Sequence, residues 1–336
     1  MDHPIRLLVL VALAALGIAV ASNALALSAN NVAVVINDAD PLSQRIGDYY
    51  ARVRQVPARN VLHVRIPVIS PDLSAEAFST LKATLDAQTP AAVQAYALAW
   101  LAPYRVECMS ITSAFAFGFD RAHCATGCAM TKYSPYFNST STMPFTDYGI
   151  RPAMSLAARD FENARALIDR GLAASRRAAP TGRAYLVSTS DAARNVRAAS
   201  YDNAVLLVGK SVPVEIVKSD GLKDRDDVLF YFTGIVTVPD LTTNHFVPGA
   251  VGDHLTSAGG DLLGRGQMSS VRWLEAGATG SYGAVVEPCN FTAKFPDPGL
   301  MMRRYLAGET LVEAYWKSVA MPGQGVFIGD PLARIK

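Results

Sequence analysis

Short apolar runs rich in β-branched residues alternate along this chain with segments of helix length, and that alternation restricts the fold more than any other feature. Val32 to Asn37 (VAVVIN) reads as a buried strand. Turn residues follow, and Pro41 to Arg54 then reads as a helix, with Asp40 as N-cap and proline in its first position. Val61 to Ile66 is a second strand, Ser74 to Ala87 a second helix capped by Ser74, and Val93 to Trp100 a third strand. A β-α-β-α-β start predicts an α/β fold: a mostly parallel sheet with helices on both faces, joined by right-handed crossovers.

The alternation breaks once and then resumes. From Pro103 to Pro152 the chain is rich in Ser, Thr, Pro, Phe and Tyr, holds three cysteines and shows no clear period. Some 50 residues of this kind inside a domain are uncommon, and such segments tend to be functional or specially stabilised. Beyond them Asp160 to Gly171 reads as a helix ended by its glycine. Arg183 to Thr189 reads as a strand, Asp191 to Leu207 as mostly helical, and Val212 to Val217 and Val228 to Phe232 as strands. Phe230 to Gly260 reads as a strand end running into a long loop. Gln267 to Ala276 is expected to be helical, Thr279 to Val286 a strand, Leu300 to Leu306 and Thr310 to Val319 helices, and Val326 to Ile328 a last short strand. With no repeat and no low-complexity linker, residues 27–336 are expected to form a single α/β domain with an insertion at about 103–152.

The start of the chain has a different character. Arg6 precedes an unbroken apolar run from Leu7 to Ala21, and Ala24-Leu25-Ala26 has the form that signal peptidase cuts. At 15 residues the run is shorter than the ~20 a spanning helix needs. Residues 1–26 therefore read as a signal peptide, the mature protein as periplasmic or extracellular, and no stable membrane span is expected once the signal is removed. Charged residues make up 18% and hydrophobic residues 50%, which suits a packed core. A net charge of +2 without a basic run argues against nucleic acid as a partner.

An exported chain can keep disulfides. Cys108, Cys124 and Cys128 cluster, and Cys289 is remote from them. One reading pairs all four, in any of three ways. Another pairs two of the clustered three and leaves Cys289 free. Phe115, Phe117, Phe119, Tyr133, Tyr136 and Phe137 are too apolar for a free loop. A disulfide within the cluster is thus expected to pin the insertion beside the sheet's carboxyl edge. Of the pairings there, one from Cys108 closes a longer loop than Cys124–Cys128 and stabilises more. His123 with Cys124 and Cys128 lacks the second ligand pair of a zinc site, so no metal or cofactor is expected.

Ligands of open parallel sheets bind beyond the carboxyl ends of the strands. Small and polar residues from Gly252 to Gly260 surround His254, whose imidazole suits a general base, or a hydrogen-bonded structural role within its loop. The small-residue strand ending at Val286 leads into Glu287-Pro288-Cys289, which puts a thiol where a nucleophile belongs. Glu287 lies two residues before Cys289, on the same side of an extended chain. There it can orient a histidine or pair with a lysine such as Lys294. His254, Cys289 and Glu287 are therefore the candidate catalytic residues, acting on an amide carbonyl. The alternative is a catalytically silent cleft that binds a partner.

The segments VVINDADPLSQRIGDYYARVRQVPARNVLHV, FVPGAVGDHLTSAGG, WLEAGATGSYGAVVEPCN and GETLVEAYWKSVAMPGQGVFIGDPL resemble an uncharacterised family of exported bacterial proteins, over most of the mature chain. That family occurs in bacteria carrying exosortase, the proposed transpeptidase of the PEP-CTERM sorting system for exported and exopolysaccharide-associated proteins. The resemblance implies an envelope role, with an exported protein or peptide, or an exopolysaccharide, as partner. It brings no established activity. A more distant likeness is to the caspase-hemoglobinase cysteine peptidases, gingipain-type enzymes above all. These carry a histidine after one strand of a parallel sheet and a cysteine after the next, and GVFIGDPL is similar to the close of their catalytic domains. That likeness implies a peptidase-like hydrolase using His254 and Cys289. Leu255 departs from it, since that group usually has glycine there, with a backbone that helps form the oxyanion hole.

Overall fold

The structure, a computed structural model, describes residues 26–335 apart from 69, 126, 178–180 and 265. The expected signal peptide lies outside the described residues except for Ala26. Strand β1 (Val32–Asn37) leads into helix α1 (Pro41–Arg54), where the Asp40 carboxylate accepts from the Leu42 amide. Next come β2 (Val61–Val64), the two-residue β3 (Asp72–Leu73), α2 (Ala75–Gln88), capped by the Ser74 hydroxyl, and β4 (Ala95–Leu98).

The segment from Pro103 to Pro152 is more ordered than its composition suggests. It holds β5 (Arg105–Val106), β6 (Met109–Ser110), α3 (Ile111–Phe117) and α4 (Pro144–Tyr148). Ile111 to Ala116 are all buried, so no polar face marks α3 in the sequence. After it come β7 (Ala153–Ser155), α5 (Phe161–Ser175), β8 (Arg183–Ser188), α6 (Tyr201–Val208), β9 (Val214–Lys218) and β10 (Val228–Thr233). The chain ends with β11 (Phe246–His254), α7 (Val271–Glu275), β12 (Gly280–Ala284), α8 (Pro298–Leu306), α9 (Leu311–Ser318) and β13 (Gly325–Gly329).

Ten strands form one sheet, ordered β2-β1-β4-β7-β13-β12-β11-β10-β8-β9. The pairs β2–β1, β1–β4 and β4–β7 are parallel, as are those from β12 through β11, β10 and β8 to β9. β13 lies antiparallel to β12, with Gly280 opposite Gly329 and Ala284 opposite Gly325. Period-two alternation divides β1 between two cores. Val32, Val34 and Ile36 pack with Ile46 and Tyr50 of α1, whereas Ala33 and Val35 pack with Phe78 of α2 and Phe115 of α3. Helices thus cover both faces, as a parallel sheet requires.

Two local expectations are corrected. Phe246 to His254 is a nine-residue strand, not a loop. Its Pro248, Gly249 and Gly252 dilute the β pattern, and a Cβ on Gly252 would overlap the Trp273 ring. Helix α5 runs through Gly171 to Ser175. Gly171 does not end it; the glycine lets the helix approach the buried ion pair of Arg54 with Asp330, where a Cβ would collide with the Asp330 carboxylate. Gly171→Ala would raise stability by up to ~1 kcal/mol in an ordinary helix interior. Here it is expected to lower it by about 3–5 kcal/mol, because it separates a buried ion pair. Urea unfolding of the two proteins measures the sign directly.

Candidate functional site

β11 and β12 are parallel neighbours, with Val251 opposite Gly280. His254 is the last residue of β11, and Glu287, Pro288 and Cys289 follow β12, so the candidate residues do leave adjacent strand ends. What surrounds them decides their chemistry. His254 is 1% exposed. The Trp273 indole N–H donates to its Nδ1 at 2.9 Å, and its Nε2 lies 3.1 Å from the Met268 carbonyl. An indole only donates, so Nδ1 is unprotonated and Nε2–H donates to Met268. Burial lowers the His254 pKa to about 4, against the Met268 carbonyl, which favours the charged ring. Glycines seal the site. The Gly260 amide donates to the Ala284 carbonyl at 2.8 Å, and a Cβ on Gly283 would overlap the backbone of Gly259. The Leu255 amide donates to the Thr233 carbonyl at 3.0 Å, so it is committed within the sheet and not to an oxyanion. On β11, Asp253 pairs with Arg197 at 2.5 Å, both fully buried.

The reading of Cys289 as a free nucleophile is corrected. Its sulfur is bonded to Cys128, while Cys108 is bonded to Cys124. A bonded sulfur offers no thiolate. Cys289 has a left-handed backbone (φ 53°), and its amide donates to Glu287 Oε1 at 2.8 Å. This turn directs the chain toward exposed Cys128 in the insertion. Glu287 itself is exposed and shapes the turn of Cys289; no contact joins it to His254 among those of either ring nitrogen. Its charge does act on Lys294, opposing the burial that lowers the lysine's pKa. The Lys294 ammonium lies 5.2 Å from the Phe291 ring centre.

The insertion packs on the chain that leads into β13. The Ser113 hydroxyl donates to the Pro322 carbonyl at 2.7 Å and the Ser134 amide to the Ala320 carbonyl at 2.8 Å. Val285, just past β12, donates to the Gln324 carbonyl at 2.9 Å, so this contact lies at the carboxyl end of β12. Two depressions open there. One, of about 490 Å³, is lined by Cys128, Glu287, Cys289, Asn290 and Phe291. The other, of about 470 Å³, has Tyr133 and Phe137 of the insertion facing Phe295, Pro296 and Pro298. Sequence reading did not single out Phe295 or the two prolines; the aromatic richness of the insertion was the available signal.

No family model matches the chain, and no curated protein matches it in sequence. A solved structure described as "Structure of Protease" is similar to it with a TM-score of 0.42 and 11% identity, over 91% of this chain and 78% of that chain. Similarity at that level transfers no chemistry to His254 or Cys289.

Peptide mapping without reductant is expected to recover the two crossed peptides, Cys108 with Cys124 and Cys128 with Cys289. Replacing both Cys128 and Cys289 by serine should cost up to about 5 kcal/mol in urea unfolding, because the bridge closes a loop of 161 residues. A second expectation concerns pH. His254 titrates near 6.5 when unfolded and about 4 when folded, so between these values the unfolded chain binds more protons. Its contribution is complete above pH 6.5 and falls by about 3 kcal/mol as pH drops to 4. Burial lowers His123 to about 4 as well, so the total slope holds two histidines. His254→Gln should remove one share of the slope in unfolding measured at pH 7 and pH 4.5.

Proposed function

We propose that this chain is an exported envelope protein that binds a protein partner in the cleft beside its Cys-rich insertion and does not hydrolyse it. One observation carries the reading: the Cys289 sulfur is bonded to Cys128 while both ring nitrogens of His254 are committed to Trp273 and Met268. A nucleophile and its base need a free sulfur and a ring nitrogen within reach of it. Export is supported by the leader-like residues 1–26, by two disulfides of the kind that persist in oxidising compartments, and by the resemblance to exported proteins of exosortase-bearing bacteria. No helix among the described residues is long and apolar enough to cross a membrane.

The choice of partner rests on the cleft walls. Phe137, Phe295, Pro296 and Pro298 are apolar, Tyr133 adds an aromatic ring, the hydroxyls of Ser200 and Ser318 are already donated to the carbonyls of Arg197 and Tyr315, and Asp297 accepts from the Leu300 amide. Such walls suit the apolar side chains of a peptide segment better than an exopolysaccharide, whose hydroxyls need paired polar groups. The competing reading, a cysteine peptidase-like hydrolase using Cys289, His254 and Glu287, requires the Cys128–Cys289 bond to be reduced first.

The test uses the purified mature protein, oxidised and after mild reduction, against peptides drawn from exported proteins. No cleavage is expected in either state. Binding should weaken about tenfold or more in Tyr133→Ala/Phe137→Ala, as for loss of interface anchors. Cleavage in the reduced state that disappears in both Cys289→Ala and His254→Ala would overturn the proposal in favour of the peptidase.

A further inference from the structure

Leu27, 1% exposed, is anchored in the core, and its backbone nitrogen donates to Glu313 Oε2 at 3.1 Å. Glu313 is fully buried at the third position of α9. The Thr310 amide (2.9 Å) and hydroxyl (2.5 Å) donate to the same oxygen, in a capping box. Oε1 meets no donor. The neighbouring cations pair elsewhere: Lys317, whose charge also opposes the effect of burial on Glu313, and Arg304 both pair with Glu309, and Arg334 donates to the Leu27 carbonyl. Burial, the largest influence, raises the Glu313 pKa. A buried carboxylate with one idle oxygen is costly unless a cation reaches it.

The bond that joins Ala26 to Leu27 is the one that signal peptidase would cut after Ala24-Leu25-Ala26. Hydrolysis adds one water across it. The Ala26 carbonyl carbon gains the hydroxyl, and the Leu27 nitrogen gains the hydrogen and leaves as an α-amine. With an ordinary pKa of about 8, that amine is mostly protonated at neutral pH. It stands where the amide already meets Glu313, and it brings three hydrogens in place of one, with a positive charge.

We infer that cleavage after Ala26 creates an α-ammonium on Leu27 that forms a buried ion pair with Glu313, so that removal of the leader completes the fold. This goes beyond the binding reading and rests only on its export half. The precursor has the hydrogen bond without the charge. The mature chain has both, and the idle Oε1 gains a donor.

The experiment starts with the intact mass of the protein recovered after export, where Leu27 is the expected first residue. Four proteins then form a cycle: chains beginning at Leu27 or at Ala26, each with and without Glu313→Gln, which preserves the side-chain shape at the helix start. Retaining Ala26 should lower the melting temperature by on the order of 5–10 °C when Glu313 is present, and much less in the Glu313→Gln pair. If Glu313→Gln does not fold, acetylation of the Leu27 amine in the native mature protein replaces that arm, with protection of about tenfold or more over the denatured chain expected for a buried pair. A first residue other than Leu27 overturns the cleavage site and the pair together. A Leu27 terminus whose extension costs the same in both backgrounds, or whose amine reacts at the denatured rate, overturns the pair and leaves export and binding standing.

Discussion

Asp330 sits with no exposure at the end of β13, and its carboxylate receives the Arg54 guanidinium on one oxygen and the Tyr50 hydroxyl on the other, the latter at 2.9 Å. That one residue gathers the last strand, both donors of α1, and the bare backbone of α5 at Gly171. β13 runs parallel to β7 and antiparallel to β12, so the two parallel blocks of the sheet join at its β12 side. A charge buried this deeply is tolerated only when its partners are all present, so losing any one of them leaves an uncompensated buried charge. Helices α1 and α5, on one face of the sheet, are thereby held against the end of β13.

With both faces of the sheet covered, polar chemistry is confined to what lies beyond strand ends. His254 and Cys289 occupy such ends, yet neither is free to react. Trp273 of α7 and Met268 of the preceding loop hold the ring as a neutral cross-link to β11, and the charge it would need as a shuttle is opposed by burial. Cys289 uses its sulfur to fasten the end of the β12 segment to the insertion. The two strand ends are thus given to structure, and an open surface lies to one side, at the aromatic cleft between the insertion and the chain before α8.

The insertion holds together through three kinds of contact at once. Cys108–Cys124 closes it locally and Cys128–Cys289 ties it across the molecule. Phe115 packs edge-on to Phe78 and Tyr96, filling the core on the α2 side. Hydrogen bonds from the Ser134 amide to the Ala320 carbonyl and from the Ser113 hydroxyl to the Pro322 carbonyl then join it to the approach of β13. Each alone would leave part of the segment's ordering entropy unopposed.

What the sequence determined by itself was whatever depends on neighbours a few residues apart. The strand VAVVIN, the Asp40 and Ser74 caps, proline at the first position of α1 and the resulting parallel α/β class are all legible there, because period and capping are local. The candidate position after β12 was legible too, since order along the chain names a strand end, whereas β11 was not and His254 read as a loop residue. Tertiary structure alone decided what those residues do. Cys128 meets Cys289 across 161 positions, Leu27 meets Glu313 across 286, and Gly171 is required by Asp330, not by its own helix. His254 became a buried cross-link only when Trp273, 19 residues away, came to lie against it. Burial and partners set the charge of a histidine and the reactivity of a cysteine. They come from parts of the chain that only folding brings together.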